Sequence, residues 1–140
     1  MELKASKILD IRFSEVDSMN VVWHGSYALY FEDMRELFGR KFGLEYISFF
    51  DHGYYAPLVD LQFHYRQLIR YEMHPRIEIK YRPTETAKIV FDYEIHHPDT
   101  GELMASGSSV QVFMDTDYNL VWTNPEFYEE WKKRWNVFER

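Results

Sequence analysis

The 140-residue chain contains no cysteine, which excludes disulfides, zinc–thiolate sites and a thiol nucleophile. No apolar run approaches membrane-spanning length, and the opening MELKASKILDIRF lacks the basic-then-apolar organisation of a signal peptide. The expectation is a soluble cytoplasmic protein. Positive charge is in deficit: 16 Lys and Arg face 23 Asp and Glu, a net charge of −7. That balance argues against a nucleic-acid partner, because neutralising phosphates needs a basic surface. Glycine is sparse, at six residues, and none of it forms a phosphate-cradling loop. Ser106, Ser108 and Ser109 lack the Gly-x-Ser-x-Gly elbow that would expose a nucleophile. His96 and His97 stand next to Pro98 without a third ligand, a poor basis for a metal site. Repeats, low-complexity tracts and flexible linkers are absent, so the expectation is a single domain over residues 1–140.

Aromatic residues, in contrast, make up 19% of the chain. A domain of this size can bury about 68% of its unfolded surface. So many rings suit a well-filled core, a lined pocket and a buried contact between subunits.

Residues 8–14, ILDIRFS, place Leu9, Ile11 and Phe13 on one face and read as a half-buried strand. From Ser26 the period becomes helical: Tyr27, Tyr30, Phe31, Met34 and Phe38 share a face, and Gly43 is a stop signal. A long helix over 26–42 is expected. Alternation then predicts strands at 59–66, 77–82 and 89–95 and a less regular one at 102–115, with a turn at 97–101. The run NPEFYEEWKKRW, from Asn124, predicts a short helix with Asn124 as N-cap and Pro125 at its first position. Strand, long helix, four strands and a terminal helix make an α+β domain, the aromatic helix lying across the concave side of an antiparallel sheet of about five strands.

The stretch joining the first strand to the long helix, EVDSMNVVWHGSYALYFEDMRE, sets Asp17 seven residues before His24 around an apolar turn. It resembles the signature of the 4-hydroxybenzoyl-CoA thioesterase family of hotdog-fold acyl-CoA thioesterases. Glu15 stands at the family's first acid, Asp17 at its key Asp, Val21-Val22-Trp23 at its apolar triplet, His24 at its His and Tyr27 at its Tyr. Near the other end, VQVFMDTDYNLVWTNPE is similar to the family's strand, turn and Pro-Glu exit. Asn20 replaces the usual Gly, and Asn is the least penalised non-Gly residue at positive φ. Ser26 replaces the usual Asn and can still cap a helix.

The resemblance implies an acyl-CoA substrate, no cofactor or metal, and a homodimer or homotetramer with the active site between subunits. The chemistry is coherent on its own terms. Thioester hydrolysis needs a base or nucleophile beside the carbonyl and donors where the oxyanion develops. Asp17 in an apolar turn beside Trp23 and Val22 suits the first role, and the amides of His24 and Gly25 at the positive end of a helix suit the second. The His24 imidazole either orients Asp17 or substrate, or is structural while only its amide acts. Trp23 and Tyr27 are expected near substrate. Arg66 and Arg70, within a basic segment running to Arg82, are candidates for the CoA phosphates. Tyr46, Phe49, Phe50, Tyr54 and Tyr55 are expected to influence acyl choice, whereas Glu32 and Arg35 read as a solvated or structural pair. Alternatives are hydrolysis of acyl groups carried on acyl carrier protein, and a non-catalytic acyl-CoA binding module.

Overall fold

A computed structural model describes residues 2–137. In chain order the elements are β1 (Lys4–Ile8), a 3-10 turn (Phe13–Glu15), α1 (Ser26–Phe42), α2 (Tyr46–Asp51), β2 (Tyr54–Tyr55), β3 (Leu58–Tyr65), β4 (Arg76–Arg82), β5 (Lys88–His96), β6 (Leu103–Asp115), β7 (Leu120–Val121) and α3 (Glu126–Trp135). The strands form one seven-stranded antiparallel sheet in which β1, β4, β5 and β6 are successive neighbours. β3 flanks β6 opposite β5, and β2 and β7 pair with its last residues. The count exceeds the expected five because β2 and β7, two residues each, are too short to show a period in sequence.

α1 occupies the expected residues, with Gly43 ending it at φ +76. Its Tyr27, Tyr30, Phe31, Met34 and Phe38 are buried against the inward residues of the sheet, Ile77, Ile79, Phe91, Tyr93 and Ile95 among them. One contact seats the helix. Phe63, Gly107 and Tyr93 form a single row across β3, β6 and β5. The missing side chain at Gly107 leaves a slot, and the Phe31 ring enters it, 4.0 Å from Tyr93 and 5.1 Å from Phe63. Two strand spacings, about 9.6 Å, give the width that three stacked rings need.

α3 closes the other end of α1. Trp131 and Trp135 both donate their indole N–H to the Phe42 carbonyl, at 2.7 and 2.9 Å, satisfying a helix C-terminus that has no intrahelical donor left. Tyr128 reaches the sheet, sharing a 2.6 Å hydrogen bond with Tyr81 and donating to the Lys88 carbonyl. Burial pushes the Tyr81 phenol up to about 12, against the opposing effect of its Tyr128 bond. Burial also pushes Tyr27 up to about 12 and raises Tyr128 well above the ordinary phenol value. These phenols hold their protons more tightly folded than unfolded. The stability they contribute is therefore complete below pH ~10 and is lost as pH rises through ~12. Alkaline titration followed by tyrosinate absorbance should show their ionisation together with cooperative unfolding in that window. Smooth ionisation near pH 10 with retained far-UV dichroism would contradict it.

Three expectations need correction. The first strand lies at Lys4–Ile8, not 8–14. Its ladder with β4 ends at the Leu9 N–H to Pro75 carbonyl bond, so Leu9 and Ile11 are buried by packing without strand pairing. Phe13, the third residue of that alternation, is exposed in the 3-10 turn against Tyr71. The terminal helix starts one residue later than expected, with Pro125 as N-cap, its carbonyl accepting from Tyr128 and Glu129. Asn124 sits outside and bonds the Glu129 side chain.

Candidate active site

Residues 15–23 fold into a small antiparallel arch ahead of α1. The Asp17 N–H donates to the Val21 carbonyl at 2.9 Å, Val16 and Val22 form a bridge, and the Trp23 N–H donates to the Glu15 carbonyl at 2.9 Å. Asn20 takes φ +64 at the tip, the conformation that Asn tolerates best after Gly. The arch is fastened to the chain after β3 by the Val22 N–H to Ile69 carbonyl bond (2.8 Å) and by a Val21–Arg70 bridge. The Asp17 carboxylate is half-buried; Oδ1 accepts the Met19 N–H at 2.8 Å. Its other oxygen has no hydrogen-bond donor among the described residues.

The chain enters α1 through a tight turn, in which the Ser26 N–H donates to the Trp23 carbonyl (2.9 Å) and the Ser26 hydroxyl to the Glu15 carbonyl (2.9 Å). His24 and Gly25 are its two central residues, and neither amide N–H has a hydrogen-bond acceptor among the described residues. Gly25 adopts φ −72, ψ −19. The Trp23 indole lies against it so closely that a β-carbon at this position would come within 2.1 Å of the ring.

Around this turn the expected residues are distributed unevenly. Trp23 is 51% exposed and stacks obliquely on the exposed His24 ring at 4.8 Å. No hydrogen bond joins Asp17 to His24 among the described residues. The apolar turn does not close over Asp17 within one chain, because Met19 and Trp23 face outward. Tyr27 is buried between Tyr30 and Tyr65. Arg70 lies beside the arch, but its guanidinium is paired with Glu72 at 2.7 Å. Arg66 is exposed and its side chain has no partner among the described residues. Arg76, Lys80 and Arg82 are paired with Glu78, Glu2 and Asp92, so the basic segment is largely offset. Phe49 belongs to the core; of the aromatics between α1 and β3, Phe50 is 57% exposed and packs on Tyr55. An open groove of about 520 Å³ on the outer face of the sheet, lined by Gln62, His64, Lys80, Asp92, Ser106 and Ser108, takes in these paired charges but neither Asp17 nor the His24–Gly25 turn.

Two residues escaped the sequence reading. Arg35 does not pair with Glu32; it is buried, and its guanidinium donates to the Tyr46 and Tyr93 hydroxyls at 3.0 and 3.1 Å. Tyr65 ends β3 with its phenol 3.4 Å from the His24 carbonyl. Its only sequence signal is the last apolar position of an alternating run, which does not say what the ring meets.

Residues 11–132 match the model of the thioesterase-like superfamily. The candidate acyl-CoA thioesterase YneP of Bacillus subtilis (strain 168) is 25% identical over 113 residues, 81% of each chain. The crystal structure of DHNA-CoA thioesterase from Staphylococcus aureus superposes with a TM-score of 0.74 at 25% identity, covering 97% of this chain and 92% of that one. A mutant of 4-hydroxybenzoyl-CoA thioesterase complexed with 4-hydroxybenzoyl-CoA superposes with a TM-score of 0.78 at 18% identity, covering 92% and 98%. The last of these speaks for the fold, in agreement with the resemblance read from the sequence. With an arch, a helix entry and a sheet of this form, the chain belongs to the thioesterase-like superfamily and is a hotdog-fold thioester hydrolase.

Proposed function

We propose that the protein hydrolyses acyl-CoA thioesters to the free acid and CoA, with Asp17 as general base or nucleophile and the His24 and Gly25 amides as oxyanion donors. The observation that carries this reading is the pair of unengaged N–H groups opening α1, next to the arch that holds Asp17. A thioester carbonyl placed there would meet two donors and the positive end of a 17-residue helix. In the base route, Asp17 takes a proton from water as the water oxygen attacks, and the C–S bond then breaks to release CoA thiolate, which is protonated. In the nucleophile route, the carboxylate displaces the thiolate and water hydrolyses the resulting anhydride. The CoA activity named for YneP and the Staphylococcus aureus enzyme supports the substrate class. Arg66 and Arg70 remain the candidates for the CoA phosphates, and Trp23 and Tyr27 for contacts near the thioester.

The reading includes a homodimer or dimer of dimers. Among the described residues β3 is laddered only to β6, so its other edge presents unpaired backbone groups. Val59 (59% exposed) and Tyr65 (51%), both residues of this strand, lie uncovered. A second copy pairing there about a two-fold axis would cover the edge and enclose the arch. A single domain and a cytoplasmic location, where CoA thioesters are available, complete the proposal.

Thiol release from a panel of acyl-CoAs and matched acyl-carrier thioesters tests it. Faster release from CoA substrates is expected, because the paired cations leave little basic surface for an acidic carrier. Calorimetric binding of acyl-CoA without thiol release would replace the hydrolase with a binding module.

A further inference from the structure

We infer that Tyr65 is a positioning residue for the oxyanion site, its phenol holding the His24–Gly25 peptide so that the Gly25 N–H faces the reacting carbonyl. This rests on the function proposed above and assigns to it a residue from a different element.

The carbonyl of His24 and the N–H of Gly25 are opposite ends of one planar peptide unit. Whatever fixes the direction of the first fixes the second. The Tyr65 phenol donates to that carbonyl at 3.4 Å, from the last residue of a strand laddered to the centre of the sheet. Its ring is braced edge-on against Tyr27 at 4.8 Å. A phenol keeps its proton at neutral pH, so the group is an O–H donor there.

The turn needs such a hold. Trp23 to Ser26 is a β-turn closed by the Ser26 N–H on the Trp23 carbonyl, and Gly25 has the type I conformation of its third residue. Type I and type II turns differ by a flip of the central peptide, here His24–Gly25, and type II requires positive φ at the third residue. Glycine is the residue that adopts positive φ at no steric cost. The Trp23 indole lies against position 25, so a side chain there would have to displace the ring. The same glycine therefore removes the steric barrier to a flip that would turn the oxyanion donor away. Ser26 and Trp23 fix the ends of the turn, but neither bonds the central peptide. The Tyr65 phenol does. Acceptance at a carbonyl also polarises its amide and strengthens the N–H on the other side as a donor.

Tyr65→Phe removes the hydroxyl and leaves the ring packed on Tyr27. With the oxyanion reading, kcat falls about tenfold while KM and thermal stability stay near the parent values, a fraction of the loss seen when a donor is deleted outright. Amide NMR of the protein supplies a readout that does not depend on turnover: the Gly25 resonance should broaden or split into two conformers in Tyr65→Phe and remain single in the parent. Tyr65→Leu, which also loses the ring, should lower kcat by no more than a further few-fold. If the parent hydrolyses acyl-CoA and Tyr65→Phe matches its kcat with a single Gly25 resonance, the assignment of Tyr65 is overturned while the hydrolase stands. If the parent releases no thiol, the proposed function fails and the positioning role of Tyr65 fails with it.

Discussion

Replacing Asp17 with Asn should lower kcat for acyl-CoA hydrolysis by at least about a hundredfold, the range in which removal of a general base or nucleophile falls. The substitution separates chemistry from folding well. The Asp17 Oδ1 contact with the Met19 N–H closes the turn of the arch, and an amide oxygen can accept the same bond. The backbone pairing of residue 17 with Val21 involves no side chain. Melting temperature and KM should consequently stay close to the parent, and the loss should appear in kcat. An amide neither takes a proton from water at neutral pH nor attacks a thioester. Activity of the Asn variant within threefold of the parent would exclude Asp17 from the chemistry and direct attention to a group outside the arch.

The second large effect is structural. Gly107→Ala should destabilise the fold by about 3 kcal/mol, the upper part of the range for overpacking a filled core. A methyl group there would lie 2.3 Å from the Gln62 carbonyl and 2.5 Å from the Phe31 ring. The carbonyl belongs to the β3 backbone beside the ladder to β6, so it can withdraw only by opening that pairing. Phe31 is fully buried between two other rings and has no space to retreat into. For a domain of this length the loss corresponds to a melting temperature lower by about 10 °C. A drop of less than about 2 °C would mean that helix and sheet can separate locally at little cost, contrary to the packing described.

How much of this could be read from the chain depended on whether the signal was local. The span of α1 was legible because five apolar residues recur on one face and Gly43 supplies the left-handed stop. β4 and β5 were legible because inward and outward residues alternate with the pleat. The first strand was misplaced because Lys4–Ile8 carries a weak pattern, with Ala5 its one buried side chain, while the stronger alternation at Leu9 and Ile11 comes from residues buried in an irregular segment. At the site, the arch and the free amides follow from neighbours within ten positions. The Tyr65 contact with His24 spans 41 positions, and the Arg35 contact with Tyr93 spans 58. No periodicity reports such pairings, since they depend on how a strand and a helix meet in three dimensions. The unsealed surroundings of Asp17 are a related case: Met19 and Trp23 are apolar in sequence, yet no described residue covers them.

Arg35 has a consequence for the proposed oxyanion site ten residues upstream. Stacked rings tolerate sliding, because their attraction changes gradually with displacement. A guanidinium fork aimed at two hydroxyls does not, and the hydroxyls it meets are themselves anchored, Tyr93 on Ser109 at 2.6 Å and Tyr46 on Gln111 at 3.3 Å. Arg35 thus indexes the rotation and advance of the central helix like a key in a shaft. Since a helix rises about 1.5 Å per residue, an index at position 35 fixes where the amides at its N-terminal end stop, about 15 Å away. The precision of the helix end proposed to hold the oxyanion donors is set partly from the middle of the hydrophobic core.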